Sequence, residues 1–370
     1  METLLEEFKL KKKRLTGYMS KKNIEAVLLT KKSNYYWLIC GCRNQVVDYS
    51  EIGASSLLFC NDRLFLITTN IEINRMIEEE TNKFDFIEPV SYNWFENDDF
   101  EKKIKEIAGS KKIYQDFPML KSEGLLDKDF EELKFCLTDS EKDRYGTLGK
   151  TAAECMTDTC KCVEQGMSEF EVQAILSEKL ISNRIMPWII LIASDQRIYK
   201  FRHPVPTNKK IDKYVMVVVG ALQGGLIACC TRILHFGEPG IEILKARDII
   251  NRIDAEMILG SRPGRRYSEI FKKEIDNFNL SGLKDEWHNH HQGGPLGYEG
   301  RYFLVNSKTE EAISESNAIA WNPSMSGYKS EDTIIVEKES NKIITLDEKW
   351  PMIKVDTEIG SIRRPDILIK

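Results

Sequence analysis

The sequence predicts an α+β fold in two domains, and three observations support that prediction. The chain has 370 residues, which is more than a single hydrophobic core usually organises. In the first third of the chain, short apolar runs typical of strands alternate with helical patterns. In the remainder, pairs of helices precede pairs of strands, as in antiparallel hairpins covered by helices. We expect a smaller α/β domain over 1–136 and a larger α+β domain over 137–370.

The first domain is predicted to contain three helices and a mixed sheet. Apolar residues at helical spacing predict an amphipathic helix over 1–20, and they are Leu4, Leu5, Phe8, Leu15 and Met19. Further helices are expected over 71–80 and 101–108. Strands are expected over 26–30, 33–40, 55–60, 63–68 and 111–116.

The second domain begins with two predicted helices, over 140–164 and 168–183. Ser168 stands before the second helix with an acidic residue nearby, which is a typical N-terminal cap. Strands are then expected over 187–194, 215–222 and 225–237, and helices over 238–260 and 266–277. Further strands are expected over 318–323 and 332–338, and a last strand over 344–347.

Composition excludes several classes of protein. Hydrophobic residues make up 42% and charged residues 30%, with a formal net charge of −5. These values are typical of a globular protein, and the acidic balance does not favour nucleic acid as a partner. Because no window approaches 18 uninterrupted apolar residues, we expect no membrane span. Nine cysteines without repeated spacing, and a start without an apolar signal core, favour a cytoplasmic protein with reduced thiols.

The stretch 286–334 is the strongest candidate for a functional site. It holds three of the five histidines of the chain, namely His288, His290 and His291. A glycine-rich turn over 293–297 follows, and glycine lets the backbone turn sharply and approach a ligand closely. A polar β-hairpin would explain the same residues. Three histidines within four positions nevertheless favour a site.

Five phrases in order resemble the pita-bread metallopeptidase family, which includes Xaa-Pro aminopeptidase, prolidase and creatinase. They are EQGMSEFEVQAIL, FRHPVPTNKKID, VVVGALQGGLIACCTRILHFGEP, HHQGGPLG and YKSEDTIIVEKESNKIITL. In the first half, AVLLTKKSNYYWL is similar to the opening of the creatinase-type N-terminal domain. The resemblance covers nearly the whole chain and implies a C-terminal pita-bread domain preceded by that smaller domain. It also implies a homodimer, in which Arg43 could reach the neighbouring site.

The same resemblance implies that the metal site of the family is largely lost. Catalytic members hold two divalent ions with Asp, Asp, His, Glu and Glu. At those positions this chain has Val218, Cys229, Gly294, Asn322 and Glu331. Since hard cations need several anionic oxygens, we expect neither a metal pair nor another cofactor. A single zinc ion held by Cys229 and a histidine stays an open alternative.

Catalysis without metal has three candidate residues. His203 falls where the resemblance places the proton-carrying histidine of creatinase, which acts without metal. His203 and His290 are therefore candidates for acid–base catalysis, and Glu331 is a candidate base. His203 is explained equally well as a packed loop residue beside Pro204 and Pro206.

Seven residues around these phrases are predicted to bind substrate: Arg301, Glu299, Lys329, His291, Asn322, Arg232 and Cys229. Arg301 could clamp a carboxylate at two points, or form a structural ion pair with Glu299 or Glu331. Lys329 would supply a point charge. Cys229 is either a nucleophile or an apolar filler of a strand.

These observations favour a metal-independent pita-bread hydrolase. We expect it to cleave a C–N bond in a small carboxylate- or nitrogen-bearing substrate or a short peptide. One alternative is a metal-dependent Xaa-Pro aminopeptidase or dipeptidase. Another is a non-catalytic binding protein, a pseudoenzyme on the same fold.

Overall fold

The structure is a computed structural model that describes residues 3–121 and 123–370. These residues form two compact units, the first ending at Lys134 and the second beginning at Phe135. Both units combine helices with sheets, which confirms the predicted α+β class. Residues 1 and 2 of the first predicted helix lie outside the described residues.

The first unit consists of one mixed sheet with helices around it. Its helices are α1 (Leu4–Lys22), α2 (Lys32–Leu38), α3 (Ile73–Arg75, continued by a π-helix over Met76–Glu80), α4 (Asp99–Ala108) and α5 (Lys128–Glu132). Its strands are β1 (Ala26–Lys31), β2 (Ile52–Cys60), β3 (Arg63–Thr69), β4 (Ile87–Tyr92), β5 (Ile113–Gln115) and β6 (Gly124–Leu125). The strand order is β4-β3-β2-β1-β5-β6.

The prediction of a strand over 33–40 is wrong, because this segment forms helix α2. Five consecutive residues of α2, from Asn34 to Leu38, are buried. A short helix that is buried on all sides shows no amphipathic period, so its apolar run looks like a buried strand in the sequence.

The second unit contains five helices and most of the strands. Its helices are α6 (Asp139–Cys162), α7 (Glu169–Ser182), α8 (Gln196–Lys200), α9 (Ile241–Gly260) and α10 (Tyr267–Leu280), with a 3₁₀-helix over Glu286–Asn289. Its first strands are β7 (Met186–Ser194), β8 (Tyr214–Gln223), β9 (Leu226–His235), β10 (Gly293–Leu296), β11 (Ala318–Trp321) and β12 (Ser324–Met325). Its last strands are β13 (Tyr328–Lys329), β14 (Asp332–Ile335), β15 (Lys342–Ile343), β16 (Met352–Thr357), β17 (Gly360–Pro365) and β18 (Leu368–Ile369).

Two four-stranded sheets dominate this unit, in the orders β18-β9-β8-β7 and β10-β11-β14-β15. Helices α9 and α10 pack their buried faces into the same hydrophobic core as these strands. The predicted cap at Ser168 is confirmed, because its hydroxyl accepts the N–H of Glu171 and the Glu171 carboxylate accepts the N–H of Ser168. The chain is thereby fixed at the start of α7.

Two predictions near the end of the chain are wrong. The expected turn over 293–297 is mostly strand β10, where Gly293 pairs with Trp321. The expected last strand over 344–347 is displaced to Lys342–Ile343, and three more strands follow it. Most residues of the β16–β17 hairpin are exposed or half-buried, so the hairpin has little of the apolar character by which buried strands are recognised.

Cys60, Cys155, Cys160, Cys162, Cys229 and Cys230 are free cysteines in the structure. Within the described parts of the chain, no helix combines the length and the apolar character that crossing a membrane requires.

Candidate active site

Glu331 lies where the two large sheets of the second unit meet. It directly precedes β14, and its carbonyl oxygen accepts the N–H of Thr231 on β9 at 3.0 Å. Trp321 on β11 pairs with Asp332 on β14. Continuing this antiparallel register by one residue places Asn322 opposite Glu331, with both side chains on one face of the sheet.

Strands β8 and β9 bring Val218 and Cys229 to the same junction. The N–H of Cys229 donates to Oγ1 of Thr333 at 2.8 Å, and Thr333 lies two residues beyond Glu331. Val218 faces Thr231 across the β8–β9 pair. Two of the positions that the resemblance aligns with metal ligands therefore lie beside Glu331 without carrying a carboxylate.

Gly294 lies on the same sheet face as Asn322, because β10 and β11 pair through Gly294 and Ala320. A Cβ atom at position 294 would lie 2.5 Å from the carbonyl oxygen of Phe303. The backbone would have to shift before any side chain, a metal-binding histidine included, could stand there.

Protein groups occupy both carboxylate oxygens of Glu331. Lys329 Nζ lies 2.8 Å from Oε2, and the Thr231 hydroxyl donates to the same oxygen at 3.0 Å. Arg301 Nη2 donates to Oε1 at 3.0 Å. Burial by itself would raise the pKa of Glu331, but Lys329 and Arg301 outweigh burial and lower the pKa to about 2. Such a carboxylate is a weak proton acceptor, so the predicted base is better suited to holding Lys329 and Arg301 in place.

A pair of divalent cations does not fit this set of residues. Such ions need several anionic oxygens, whereas Glu331 is the one carboxylate at the five aligned positions. Its oxygens already bind Lys329, Arg301 and Thr231, and the two cationic side chains would repel metal ions. At these described positions, the chain therefore lacks the ligands that a pair of metal ions would need.

Three of the predicted site residues, His203, His290 and His291, form a cluster. His203 lies on the loop between α8 and β8 and is partly exposed, while His290 and His291 follow the 3₁₀-helix. Nε2 of His203 lies 3.1 Å from Nε2 of His290. Nδ1 of His290 lies 3.1 Å from Oγ of Ser324. The structure thus brings the two histidines predicted for acid–base catalysis into direct contact.

Burial and nearby positive charge keep these three rings neutral. Burial lowers the pKa of His203, and Lys329 lowers it further. The same two causes hold the pKa of His290 far below its usual range. For His291, burial and then Arg301 lower the pKa to about 4. A neutral imidazole carries a lone pair that can accept a proton, but a ring whose pKa lies as far below its usual range as that of His290 is a weak acceptor.

Arg301 reaches the junction from the loop after β10. Its Nη1 donates to the carbonyl oxygen of Gly300 at 2.6 Å and lies 3.8 Å from Sγ of Cys229. Its Nε is buried and has no hydrogen-bond partner among the residues that the structure describes. Of the expected ion pairs, the one with Glu331 is present, and one guanidinium donor remains for a ligand.

Cys229 is a buried thiol. Burial raises its pKa, although Arg301 acts in the opposite direction. Because the thiolate is the nucleophilic form, this environment favours the interpretation of Cys229 as part of the strand core. In the described part of the chain, the ligand atoms that lie close enough to share one ion belong to His203, His290 and His291, and the sulfur of Cys229 is not among them.

Two predicted substrate-binding residues, Arg232 and Glu299, lie outside the histidine cluster. Arg232 points to the face of β9 opposite Thr231, and its Nη2 donates to Asp332 Oδ1 at 3.0 Å and to the Thr345 carbonyl oxygen at 2.6 Å. Glu299 accepts the N–H of Gly297 through its backbone carbonyl at 3.1 Å. Arg232 thus belongs to a buried ion-pair network, which differs from its predicted role as a substrate contact.

Two site residues were not predicted from the sequence. Ser324 contacts His290, and Thr231 binds Glu331. Thr231 lies inside a phrase of the family resemblance, shortly after Cys229, whereas Ser324 lies shortly after Asn322 and outside the five phrases. Serine and threonine are uncharged and common, so the sequence gives no signal for these two contacts. They become visible only when the strands are paired in the structure.

Comparison with known proteins identifies the family. Residues 144–338 match the model of metallopeptidase family M24. This match covers more than half of the 370 residues. The chain therefore belongs to metallopeptidase family M24, which confirms the family recognised from its sequence phrases.

Similarity to known proteins extends over nearly the whole chain. A protein of Pyrococcus horikoshii named Xaa-Pro dipeptidase is 22% identical over 365 residues, covering 92% of this chain and 97% of the relative. The structure of an Xaa-Pro dipeptidase from Bacillus anthracis matches with a TM-score of 0.77 at 20% identity, covering 98% of this chain and 100% of that chain. The N-terminal domain of a FACT complex subunit from Cicer arietinum matches with a TM-score of 0.68 at 12% identity, covering 92% and 96%. These likenesses confirm the predicted pita-bread fold with its N-terminal domain.

Proposed function

We propose that this protein is a hydrolase that cleaves a C–N bond in a small carboxylate-bearing substrate, such as a dipeptide, without the metal pair of its family. The observation that supports this most is the 3.1 Å contact between His203 and His290. The positive charge of Lys329 lowers the pKa of both rings. Similarity to proteins named Xaa-Pro dipeptidase supports the choice of bond.

The histidine pair supplies the proton transfer. His203, the exposed ring of the pair, accepts a proton from water while the water oxygen bonds to the carbonyl carbon of the substrate, and His290 positions it through the contact between their Nε2 atoms. When the C–N bond breaks, the proton passes to the leaving nitrogen, so an amine and a carboxylic acid are released and the ring is neutral again. Contact with Ser324 fixes the orientation of the His290 ring.

Lys329 and Arg301 supply positive charge for the substrate and for the transition state. Glu331 offsets only one of their two charges. The remaining charge stabilises both a substrate carboxylate and the oxyanion that forms during attack. Nε of Arg301, buried and without a partner in the described residues, is the donor best placed to bind such an oxygen.

The test measures hydrolysis of a dipeptide library by the full chain after chelation, with metal content followed by elemental analysis. We expect turnover to persist after chelation and to fall by about 100-fold or more in His203→Ala and His290→Ala, the range of general acid–base catalysis. His288→Ala is the matched control, because its ring is exposed and lies outside the cluster. Turnover that depends on added manganese, cobalt or zinc would establish the metal-dependent Xaa-Pro aminopeptidase or dipeptidase instead.

A non-catalytic binding protein is the second candidate. It is favoured by the replacement of four metal-ligand positions, and by the likeness in fold to the N-terminal domain of a FACT complex subunit. Calorimetric binding of a peptide or small carboxylate, with no product formed from any member of the library, would support this candidate.

We further propose a homodimer in the cytoplasm. The resemblance supports this expectation, and Arg43 is exposed on the first unit, where its Nη2 lies 3.2 Å from Oε1 of Glu80. Light scattering after size-exclusion chromatography tests the dimer. A monomer at micromolar concentration would contradict it.

A further inference from the structure

We infer that His203, His290 and His291 together form a binding site for a single transition-metal ion of the zinc class. One ring nitrogen from each histidine lies within 4.8 Å of the corresponding nitrogens of the other two. Imidazole nitrogen is a preferred ligand of zinc, copper and nickel. Three histidines with one open coordination position are an established zinc-binding arrangement.

The distances suit one ion. Zinc–nitrogen bonds of about 2.0–2.1 Å in tetrahedral geometry separate two nitrogen ligands by roughly 3.3 Å. Nε2 of His203 and Nε2 of His290 lie 3.1 Å apart, so this pair already has the required spacing. The ligand nitrogens of the cluster lie within 4.8 Å of one another, which exceeds the tetrahedral spacing by roughly 1.5 Å at most. The nitrogen of the third histidine therefore has to move by no more than about that distance to bind the same ion.

Two further observations favour ligation over simple packing. Ser324 Oγ lies 3.1 Å from Nδ1 of His290. When this Nδ1 donates its proton to Ser324, the lone pair of Nε2 is directed towards His203, in the way that outer hydrogen bonds orient metal-bound histidines. In His291, Nδ1 is buried and has no hydrogen-bond partner among the described residues, which indicates that a ligand or solvent completes this part of the cluster.

The surroundings determine what kind of metal site this is. His203 is exposed, so solvent reaches at least one ring of the cluster. The positive charges of Lys329 and Arg301 exceed the single charge of Glu331, which weakens cation binding compared with a closed structural zinc site. The same excess charge favours an anion, such as a carboxylate, as the fourth ligand.

This site differs from the two-metal site of the family in every ligand. The five positions aligned with the family ligands are Val218, Cys229, Gly294, Asn322 and Glu331, and none of the three histidines is among them. In the hydrolase proposed above, a bound ion would occupy the lone pairs that carry the proton. That consequence depends on the proposed function, whereas metal binding itself does not.

The experiment titrates the metal-free full chain with zinc chloride in a calorimeter, and with cobalt chloride in a visible spectrometer. We expect one ion per chain, with the d–d bands of nitrogen-ligated, four-coordinate cobalt. His203→Gln and His291→Gln should each weaken binding by tenfold or more. His288→Gln should bind as the unsubstituted chain does. Position 203 is chosen because its ring is partly exposed and its replacement disturbs little packing, and thermal melting confirms that each variant folds.

Three results would overturn the inference: no binding of either ion, unchanged binding in both variants, or a thiolate-to-cobalt charge-transfer band, which would assign the ion to cysteines. Activity is measured separately. An inactive chain that binds zinc at the three histidines contradicts only the proposed hydrolase. An active chain that binds no zinc contradicts only this inference.

Discussion

Lys329 Nζ lies 2.8 Å from Oε2 of Glu331, so a lysine binds the one carboxylate that this chain retains at the metal-ligand positions of its family. Arg301 binds the other oxygen at 3.0 Å. Two organic cations therefore offset the carboxylate where catalytic relatives use two metal ions. In the proposed hydrolase, these cations also bind the substrate.

Replacing Arg301 by lysine tests that role. Lysine retains the positive charge but loses the planar fork and its Nε donor. We expect Arg301→Lys to raise KM about tenfold, or about 1.4 kcal/mol, for a dipeptide with a free carboxylate. Steady-state kinetics on the same dipeptide with an amidated C-terminus provides the control, for which KM should not change. An equal rise in KM for both substrates would show that Arg301 does not bind the carboxylate.

Behind the site, Arg364 joins two buried aspartates. Its Nε donates to Asp254 Oδ2 at 2.8 Å and its Nη2 donates to Asp332 Oδ2 at 2.8 Å. Breaking a buried pair leaves charges uncompensated and typically costs about 3–5 kcal/mol. We expect Arg364→Met to lower the free energy of unfolding by that amount in urea titrations. Arg363→Met, on the exposed face of the same strand, should change it by less than about 0.5 kcal/mol. Equal losses in the two variants would contradict this prediction.

Glu274 on α10 predicts a pH dependence of stability. Both of its carboxylate oxygens are buried without a hydrogen-bond partner in the described residues. Burial raises its pKa well above the usual 4.5, and Asp254 adds to the rise. Above pH 4.5, the carboxyl group of Glu274 loses its proton in the unfolded chain but keeps it in the folded chain. The folded state therefore becomes less stable relative to the unfolded state as the pH rises above 4.5.

Glu274→Gln removes this titration. We expect the variant to be more stable than the unsubstituted chain by about 1–3 kcal/mol near pH 8, with the difference vanishing below the unfolded pKa. Urea titrations across this pH range measure the difference. Asp276→Asn on the exposed side of the same helix is the control and should show no such trend. A difference that grows towards acid pH would contradict the prediction.

Local sequence patterns predicted most of the fold of this chain. Ser168 and the acidic residue after it predicted the start of α7, and alternating or continuous apolar runs predicted β7, β8 and β9. Two of the failures have a common cause. Helix α2 is buried on all sides, and β10 consists of glycines, proline and leucine whose pairing depends on β11. In both cases, tertiary packing decided a conformation that neighbouring residues in the sequence do not specify.

The site was only partly predictable. Family phrases identified Glu331, Arg301, Lys329 and the histidines, and the structure brings each of them to the junction of the sheets or the adjoining cluster. The phrases could not show that Thr231 binds Glu331, because that contact joins residues 100 positions apart. They also could not show that Arg232 faces the opposite side of its strand.

Replacing Gly294 by histidine should not restore the metal site of the family. A side chain at this position would meet the Phe303 carbonyl oxygen at 2.5 Å. We expect Gly294→His to lower the melting temperature and to bind no additional manganese in a titration followed by elemental analysis. Ala320→Ser, at the strand position opposite, provides a control in which a small polar group is added. A stable Gly294→His variant with two bound ions would contradict this prediction.

Zinc should inhibit the proposed hydrolase. The lone pairs of His203 and His290 serve either a proton or a metal ion, because Nε2 of one ring faces Nε2 of the other at 3.1 Å. We expect turnover of a dipeptide to fall with added zinc along the same concentration dependence as calorimetric binding, and to recover with chelator. His291→Gln keeps His203 and His290 but removes one ligand, so its residual turnover should need at least tenfold more zinc for half-inhibition. Activation by one equivalent of zinc would show instead that the ion takes part in the reaction.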